Sequence, residues 1–284
     1  MVTGIFADWL LLSALYALVA IGFTMIFGVG GVLNLAHGGI LTVGAFATYG
    51  VTFYGGHIAA GLVVGVIAAG LFGGLIYLVL AREFMDEPLV ILILTLVVAV
   101  IIEEVIATFV GTQSRVVRQL VPGTTELIGV SVQLNRLTMF AASWIAIGGV
   151  FVFTNHTNIG RAVIATSMSD RGAAIVGIDA DRVQLVTWIF AGALAGLGGI
   201  FLGMEYLANY DMGRNPLVLS FAIVVLGGLG SIKGSVIAAY LVGFVETLTV
   251  HMISPRLTGM AAFIILIIVL LTKPEGLYGR EFVE

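Results

Sequence analysis

Residues 155–182 read NHTNIGRAVIATSMSDRGAAIVGIDADR, and this stretch decides how the chain around it is organised. It is the most charged part of an otherwise apolar chain, and long apolar runs lie directly on both sides of it, at 137–154 and 183–203. Its charged residues are Arg161, Asp170, Arg171, Asp179, Asp181 and Arg182. Because hydrocarbon does not solvate charges, the segment must face water or another protein. We call it the knob.

The knob has the sequence features of a helix-turn-helix. Ser167 and Ser169 can cap or bend a short helix, Ala173-Ala174 favours helix, and Gly177 is a natural helix stop. Asp179 then offers an N-cap for the helix that becomes the next apolar run. These features predict two short helices that form a rigid structure on the membrane surface. A simple capped loop is the alternative interpretation.

The composition of the chain excludes a soluble globular protein. Of its 284 residues, 60% are hydrophobic and 10% are charged. At roughly 20 residues per spanning helix, this length accommodates about eight or nine spans with short loops. Continuous apolar runs argue against a transmembrane β-barrel, and the net charge of −4 indicates no nucleic-acid partner. We predict an all-α fold, a polytopic membrane helix bundle in contact with lipid.

The predicted spans are the apolar runs 5–27, 40–53, 58–81, 89–110, 137–154, 183–203, 217–229, 235–250 and 257–271. The run 217–229 is short and either crosses or re-enters, so the helix count is open by one. In the polar segment 111–136, the alternating GVSVQL predicts a short hairpin strand. The residues 205–216 are interpreted as a polar loop.

Lysines and arginines in the loops predict the orientation. With the N-terminus outside, seven of them lie in the cytoplasm: Arg82, Arg161, Arg171, Arg182, Lys233, Lys273 and Arg280. The other five lie outside: Arg115, Arg118, Arg136, Arg214 and Arg256. This bias predicts a cytoplasmic knob.

Two glycine-rich interruptions, 28–39 and 227–234, fall in the two halves of the chain. Paired broken segments of this kind indicate the central site of a transporter, because unwound backbone lines a cavity there. Glycine for close helix packing is the alternative explanation. Carboxylates inside the membrane are functional candidates as well. The candidate substrate-pathway residues are Asn34, His37, Gly38, Glu103, Gly228, Gly230 and Glu246.

The sequence contains no enzyme motif. No glycine is followed by lysine, so a GxxxxGK[ST] phosphate loop is absent, as are HExxH, GxSxG and any His/Cys cluster with metal spacing. We therefore predict no catalytic residue, no metal ligand and no cofactor bound by this chain. If transport is driven by ATP, then ATP and Mg are used by partner subunits, which would grip the knob.

Four segments resemble LivH-type permeases of branched-chain amino-acid ABC transporters. FGVGGVLNLAHGGILTVGAF (27–46) resembles their N-terminal signature, and GRAVIATSMSDRGAAIVGIDADRV (160–183) resembles their cytoplasmic coupling loop. VLGGLGSIKGSVIAAYLVGFVE (225–246) is similar to their glycine-rich late segment, and TKPEGLYG (272–279) to their RPxGLFG ending. The matches follow the family's order and bracket nearly the whole chain.

This resemblance implies one transmembrane permease domain over 1–284, multi-pass in the cytoplasmic (inner) membrane, with the coupling loop at 155–182. The implied partners are a LivM-like second permease subunit, two ATPase subunits and an extracytoplasmic substrate-binding protein. The implied ATPase-coupling residues are Arg161, Asp170, Arg171, Ala173, Ala174, Gly177 and Asp179. The chain departs from the pattern at Gly172, where an acidic residue is common, and Asp170 could supply that carboxylate.

The predicted function is the permease subunit of an ABC importer for branched-chain or related amino acids. Three alternatives stay open. The same family includes permeases for urea and short amides. An ion-coupled secondary carrier would work alone and use Glu103 or Glu246 for its ion, and a passive channel would need no energy source.

Overall fold

The computed structural model describes residues 2–127, 129–273 and 275–278, and within them it leaves out the side chains of Val2 and Asp170. Arg280 and part of the predicted family tail therefore lie outside the described residues. In the described part, the chain forms a bundle of α-helices with one small β-hairpin.

The helices are α1 (Val2–Gly30), α2 (His37–Phe53), α3 (Ile58–Ile76), α4 (Pro88–Phe109), α5 (Leu134–His156), α6 (Asn158–Met168), α7 (Asp170–Ile175), α8 (Ala180–Tyr206), α9 (Arg214–Gly227), α10 (Ile232–Met252) and α11 (Met260–Thr272). A π-helical turn (Tyr77–Ala81) and a 3-10 turn (Arg82–Phe84) continue α3, and a second 3-10 turn (Pro255–Leu257) precedes α11. The strands β1 (Thr124–Leu127) and β2 (Val130–Gln133) pair antiparallel, which confirms the predicted hairpin.

Each predicted apolar run forms a helix, so the predicted all-α membrane bundle is confirmed. Among the described residues, six helices are long and apolar enough to cross a membrane: α1, α3 with its continuation to Phe84, α4, α5, α8 and α10. Helices α9 and α11 have 14 and 13 residues, fewer than the roughly 17–25 of a spanning helix, and α2, with 17, is at the lower limit. The count of eight or nine spans therefore stays a prediction.

Helices α1 and α8 form the centre of the bundle, and both are largely buried. Helix α8 contacts α1, α2 and α3, and its small residues Ala191, Ala195, Gly199 and Gly203 are buried. A Cβ atom on Gly199 would overlap the carbonyl oxygen of Leu41, so only glycine lets α2 approach this closely.

The first predicted interruption is confirmed, although it is shorter than 28–39. Helix α1 continues to Gly30, residues 31–36 are not helical, and α2 begins at His37. The Nε2 atom of His37 lies 3.0 Å from the carbonyl oxygen of Val19. Val19 is about 16 Å from the end of α1, at a helical rise of about 1.5 Å per residue. The segment 31–36 therefore runs back along α1, and α2 begins inside the bundle.

The second predicted interruption, 227–234, is also present, because α9 ends at Gly227 and α10 begins at Ile232. The segment 227–234 is a tight reversal between α9 and α10, in which Gly228 and Gly230 have φ angles of 99° and 81° that glycine adopts without strain. A further interruption, 207–213, leads into α9 at a place where the sequence suggested a polar loop. Its last residue, Gly213, packs against Gly38 at the start of α2. Helix α9 therefore begins inside the bundle.

The helix-turn-helix of the knob is confirmed. Ser169 caps α7 by accepting a hydrogen bond from the Gly172 N–H at 3.0 Å, and Gly177 ends the turn with a φ angle of 81°. Asp179 caps α8, as predicted, by accepting from the Arg182 N–H at 3.2 Å. We call the end of the bundle that carries these residues the knob end.

The two ends of the bundle hold the basic residues largely as predicted. At the knob end, Arg82 forms an ion pair of 2.9 Å with Asp181. At the opposite end, which we call the far end, Arg136 lies between Asp8 and Glu205. Arg214 is the exception, because it begins α9 within the bundle and does not lie in an outer loop.

Candidate functional site

The N-terminal ends of α2 and α9 meet inside the bundle. A Cβ atom on Gly38 would lie 2.5 Å from the carbonyl oxygen of Gly213, so the two backbones are in direct contact. Neither helix has a side-chain cap at its N-terminus. The first N–H groups of a helix lack partners within that helix and carry partial positive charge. The Arg214 N–H donates to the carbonyl oxygen of Asp211 and Pro216 has no N–H, so α9 supplies few free donors, but the positive ends of the two helix dipoles still favour a negatively charged group here.

Asn34 and His37 are buried at the start of α2. The Asn34 Oδ1 atom accepts a hydrogen bond from the Ala36 N–H at 3.0 Å, and its Nδ2 atom has no partner among the described residues. The His37 Nε2–H donates to Val19, whose carbonyl can only accept, and Nδ1 has no partner in the described part of the chain. Each side chain therefore keeps one buried polar atom available to a ligand or a water molecule.

Glu103 is paired with an arginine that the sequence analysis placed in a loop. The Nε atom of Arg214 lies 2.9 Å from Oε1 and 3.1 Å from Oε2 of Glu103. The pair joins α4 to the first residue of α9, directly after Gly213. The Arg214 side chain is 63% exposed on the isolated chain, whereas that of Glu103 is 12% exposed. An arginine that opens an apolar run was the available sequence signal for this pair.

The structure therefore divides the predicted pathway residues into three groups. Asn34, His37, Gly38 and Glu103 lie around the junction of α2 and α9, which we call the helix-break site. Gly228 and Gly230 lie at the knob end, where Gly230 contacts Gly28. Glu246 lies on α10 in a cavity at the far end. The sequence analysis grouped these residues because a sequence does not show how far along the bundle axis each residue lies.

The predicted coupling residues lie on the knob, with one difference. The exposed residues are Arg161, Arg171, Ala174, Gly177 and Asp179. Ala173 is only 3% exposed and packs inside the knob, so it does not form part of its outer surface. The side chain of Asp170 lies outside the described part, so its proposed replacement of a carboxylate at Gly172 is not tested.

An exposed apolar surface on the knob was missed by the sequence analysis. Met168, Ile175 and Val176 are 66%, 80% and 72% exposed. Helix periodicity alone does not show which of these side chains the bundle covers. Their position next to the predicted coupling residues is typical of a surface that another protein covers. Among the described residues, no group of three or more His, Asp or Glu side chains is placed to hold a metal ion.

The comparison with known proteins agrees with this architecture. The family model described as branched-chain amino acid transport system / permease component matches residues 5–270. The chain belongs to this family. It is a permease component and not an enzyme, and ATP hydrolysis is carried out by separate subunits of such systems. Together with the six long apolar helices, the family establishes a multi-pass protein of the inner membrane.

Relatives match along nearly the full length of the chain. The high-affinity branched-chain amino acid transport system permease protein LivH of Escherichia coli K12 is 28% identical over 289 residues, which cover 96% of this chain and 94% of LivH. The protein BraD of Pseudomonas aeruginosa, with the same description, is 26% identical over 97% of this chain and 95% of its own length. The nucleoside ABC transporter permease protein NupB of Lactococcus lactis is 30% identical over 45% of this chain and 33% of its own length. No solved structure matches this chain.

Proposed function

We propose that this permease subunit of an ABC importer moves branched-chain or related amino acids, and that its pathway includes the helix-break site. The observation that carries the proposal is the meeting of two uncapped helix N-termini at Gly38 and Gly213. Such paired half-helices are a common way to bind the carboxylate of an amino acid at membrane depth. Full-length relatives with branched-chain amino acid transport in their names support the substrate class.

The polar surface at Glu103 and Arg214 indicates which side of the subunit borders the pathway. Glu103 lies six residues before the last residue of α4, or about 9 Å from that helix end. A charged pair at this depth is costly in contact with lipid, and Arg214 is largely exposed on the isolated chain. This face therefore turns toward a second permease subunit, of LivM-like type, and the water-filled path between the two. The pairing of Glu103 with Arg214 also argues against an ion-coupled carrier in which Glu103 holds the ion.

The knob transmits the motion of the ATPase subunits. Two ATPase subunits that bind ATP and Mg would lie beneath the two permeases, and their closure would push on residues 155–182. The exposed apolar surface of Met168, Ile175 and Val176 is the contact that the isolated chain leaves uncovered. The knob is fixed to the bundle by the Tyr77 hydroxyl and by Arg82, which both bind Asp181. A push on the knob is therefore transmitted directly to α3 and α8. An extracytoplasmic binding protein would deliver the amino acid at the far end.

Uptake by the reconstituted complex tests the proposal. Vesicles that contain the permease with its second permease and ATPase subunits would receive binding protein outside and ATP inside, and accumulation of labelled leucine, urea and acetamide would be measured. We expect ATP-dependent accumulation of leucine but not of the two amides. Accumulation of urea or acetamide instead would assign the chain to the amide branch of the family. Leucine accumulation driven by an ion gradient without ATP, in vesicles with the permease alone, would identify a secondary carrier.

A further inference from the structure

A cavity of about 300 Å³ lies at the far end, between α1, α5, α8 and α10. It is separate from the helix-break site, because none of Asn34, His37, Gly38 and Glu103 lines it. Its polar lining includes Asp8, Arg136, Glu205 and Glu246, and part of its wall is apolar. Leu11, Leu12, Met139 and Val250 form that apolar part.

The basic side chains of the cavity are already paired with acidic ones. Arg136 donates to Asp8 at 2.7 Å and forms a second ion pair with Glu205. The other basic side chain in the lining, His251, has its Nε2 atom 3.2 Å from the second carboxylate oxygen of Asp8. Neither of these side chains is paired with Glu246, so the third carboxylate of the cavity has no cation of its own among the described residues.

Glu246 and Thr247 each present a buried polar atom without a partner. Glu246 is 1% exposed, and its Oε1 atom accepts a hydrogen bond from the Gly259 N–H, while Oε2 has no partner in the described part of the chain. Thr247 is 3% exposed, and its Oγ1 atom likewise has no partner there. Both residues line the cavity. A buried carboxylate oxygen left without a partner is unfavourable, so this wall favours a group that donates hydrogen bonds and carries positive charge.

The shape of the site distinguishes between kinds of cation. An inorganic ion needs several oxygen or nitrogen ligands that converge on one point, and no such group of three His, Asp or Glu residues exists among the described residues. An organic ammonium group carries three N–H donors, and the apolar wall can hold its hydrocarbon part. The volume of the cavity also accommodates a body larger than a single ion.

We propose that the far-end cavity binds the ammonium group of an organic cation with an apolar body, with Glu246 and Thr247 as its acceptors. This inference rests on the proposed function in one respect: an apolar amino acid is the natural ligand of this kind for the transporter. The cavity would hold it at the far end, before it reaches the helix-break site. Its carboxylate is not required for this step, because Arg136 is already neutralised by two acids.

Equilibrium binding to the purified transporter complex, without ATP and without the binding protein, tests this inference. The probe is radiolabelled 3-methylbutylamine, which has the ammonium group and a branched apolar body but no carboxylate. Competitors are leucine, leucinamide, N-acetyl-leucine and sodium chloride. We expect leucinamide and leucine to displace the probe, and N-acetyl-leucine, which lacks the ammonium group, to fail. Displacement by sodium chloride but not by choline chloride would assign the cavity to an inorganic cation and overturn the proposal.

Variants locate the site. Glu246→Gln should weaken binding of the probe at least tenfold, which corresponds to about 1.4 kcal/mol. Thr247→Val keeps the shape of the side chain and should weaken binding of the probe about threefold. Glu104→Gln is the matched control, because Glu104 is exposed on α4 and does not line the cavity. ATPase activity of each complex reports correct folding. Wild-type probe binding in both cavity variants would refute the site, whereas a wild-type complex that binds the probe but accumulates no leucine would refute only the proposed function.

Discussion

The backbone of Gly213 occupies the space that a side chain on Gly38 would need. Gly38 is the second residue of α2 and Gly213 immediately precedes α9, so this contact joins the starts of two helices that both begin inside the bundle. The two segments that lead to it run in from opposite ends, 31–36 from the knob end and 207–213 from the far end. This is the arrangement expected of two halves with opposite orientation around a central site.

Alanine at Gly38 should separate the two helix ends. Its Cβ atom would lie 2.5 Å from the carbonyl oxygen of Gly213, a distance that requires the backbones to move. We expect ATP-driven uptake of leucine by Gly38→Ala to fall about tenfold or more, because small displacements of binding groups have effects of this size. Gly50→Ala on the same helix is the control, since a Cβ atom there meets nothing within 4 Å. Equal uptake by the two variants would contradict a functional contact.

Glu103 and Arg214 should behave as a coupled pair. Replacement of Glu103 by Gln, or of Arg214 by Gln, leaves one charge without its partner at membrane depth, so each single variant should lose about tenfold in uptake. The double charge exchange, Glu103→Arg with Arg214→Glu, should recover part of that loss, because it restores the attraction. Uptake rates of the three variants provide the measurement. Independent effects, with no recovery in the double variant, would show that the two residues act separately.

The apolar surface of the knob should bind the ATPase subunits. An aspartate at Ile175 or Val176 places a charge on side chains that are 80% and 72% exposed, and it should abolish co-purification of the ATPase subunits without unfolding the bundle. Ile253→Asp is the matched control, because Ile253 is 72% exposed at the far end. Retention of the ATPase subunits by both knob variants would place the contact elsewhere.

Substitutions at Gly177 should act through its backbone conformation and not through steric overlap with neighbouring residues. Its φ angle of 81° is unfavourable for other residues, although a Cβ atom there would meet nothing within 4 Å. Gly177→Val should destabilise the end of the knob by about 1–2 kcal/mol, while Gly177→Asn should be milder because asparagine tolerates this conformation. The ratio of ATP hydrolysed to leucine transported measures the coupling, and we expect it to rise in the order wild type, Asn, Val. Gly149→Ala, within α5, is the neutral control.

Ala173 differs from the other coupling residues because it is buried in the knob. Ala173→Leu should therefore act by distorting the packing between α7 and α8, and Ala173→Ser should be well tolerated. Limited proteolysis within residues 165–180 distinguishes distorted packing from a direct loss of contact with the ATPase, since a distorted knob exposes its backbone to the protease. Uncoupled transport by Ala173→Leu with a wild-type digestion pattern would indicate a direct contact with the ATPase.

Several features could be predicted because they depend on local chemistry. The apolar runs determined the helices, and capping side chains determined their ends: Ser169 and Asp179 accept the hydrogen bonds expected of N-caps. Gly177 has the positive φ angle expected of a helix stop. The first interruption was recognised because five glycines and two polar residues fall between residues 28 and 39, where regular helix is unfavourable. Each of these properties involves residues only a few positions apart.

The interruption at 207–213 could not be recognised in this way. Residues 207–213 have the composition of an ordinary polar loop, and only their contact with Gly38, far away in the sequence, places them inside the bundle. The glycines of 227–234 were recognised as an interruption, but the sequence did not show that they form a tight reversal, since a positive φ angle serves a tight turn and an unwound helix equally well.

The sequence by itself determined that this is a membrane helix bundle with a capped, charged knob, because hydropathy and capping act over one helix at a time. Only the tertiary structure decided which polar residues share a site. It paired Glu103 with Arg214, brought Gly38 to Gly213, and placed Glu246 in a separate cavity. The physical reason is that a polar residue in a membrane helix can find its partner on any neighbouring helix, and the choice among neighbours depends on packing between segments that are distant in the chain.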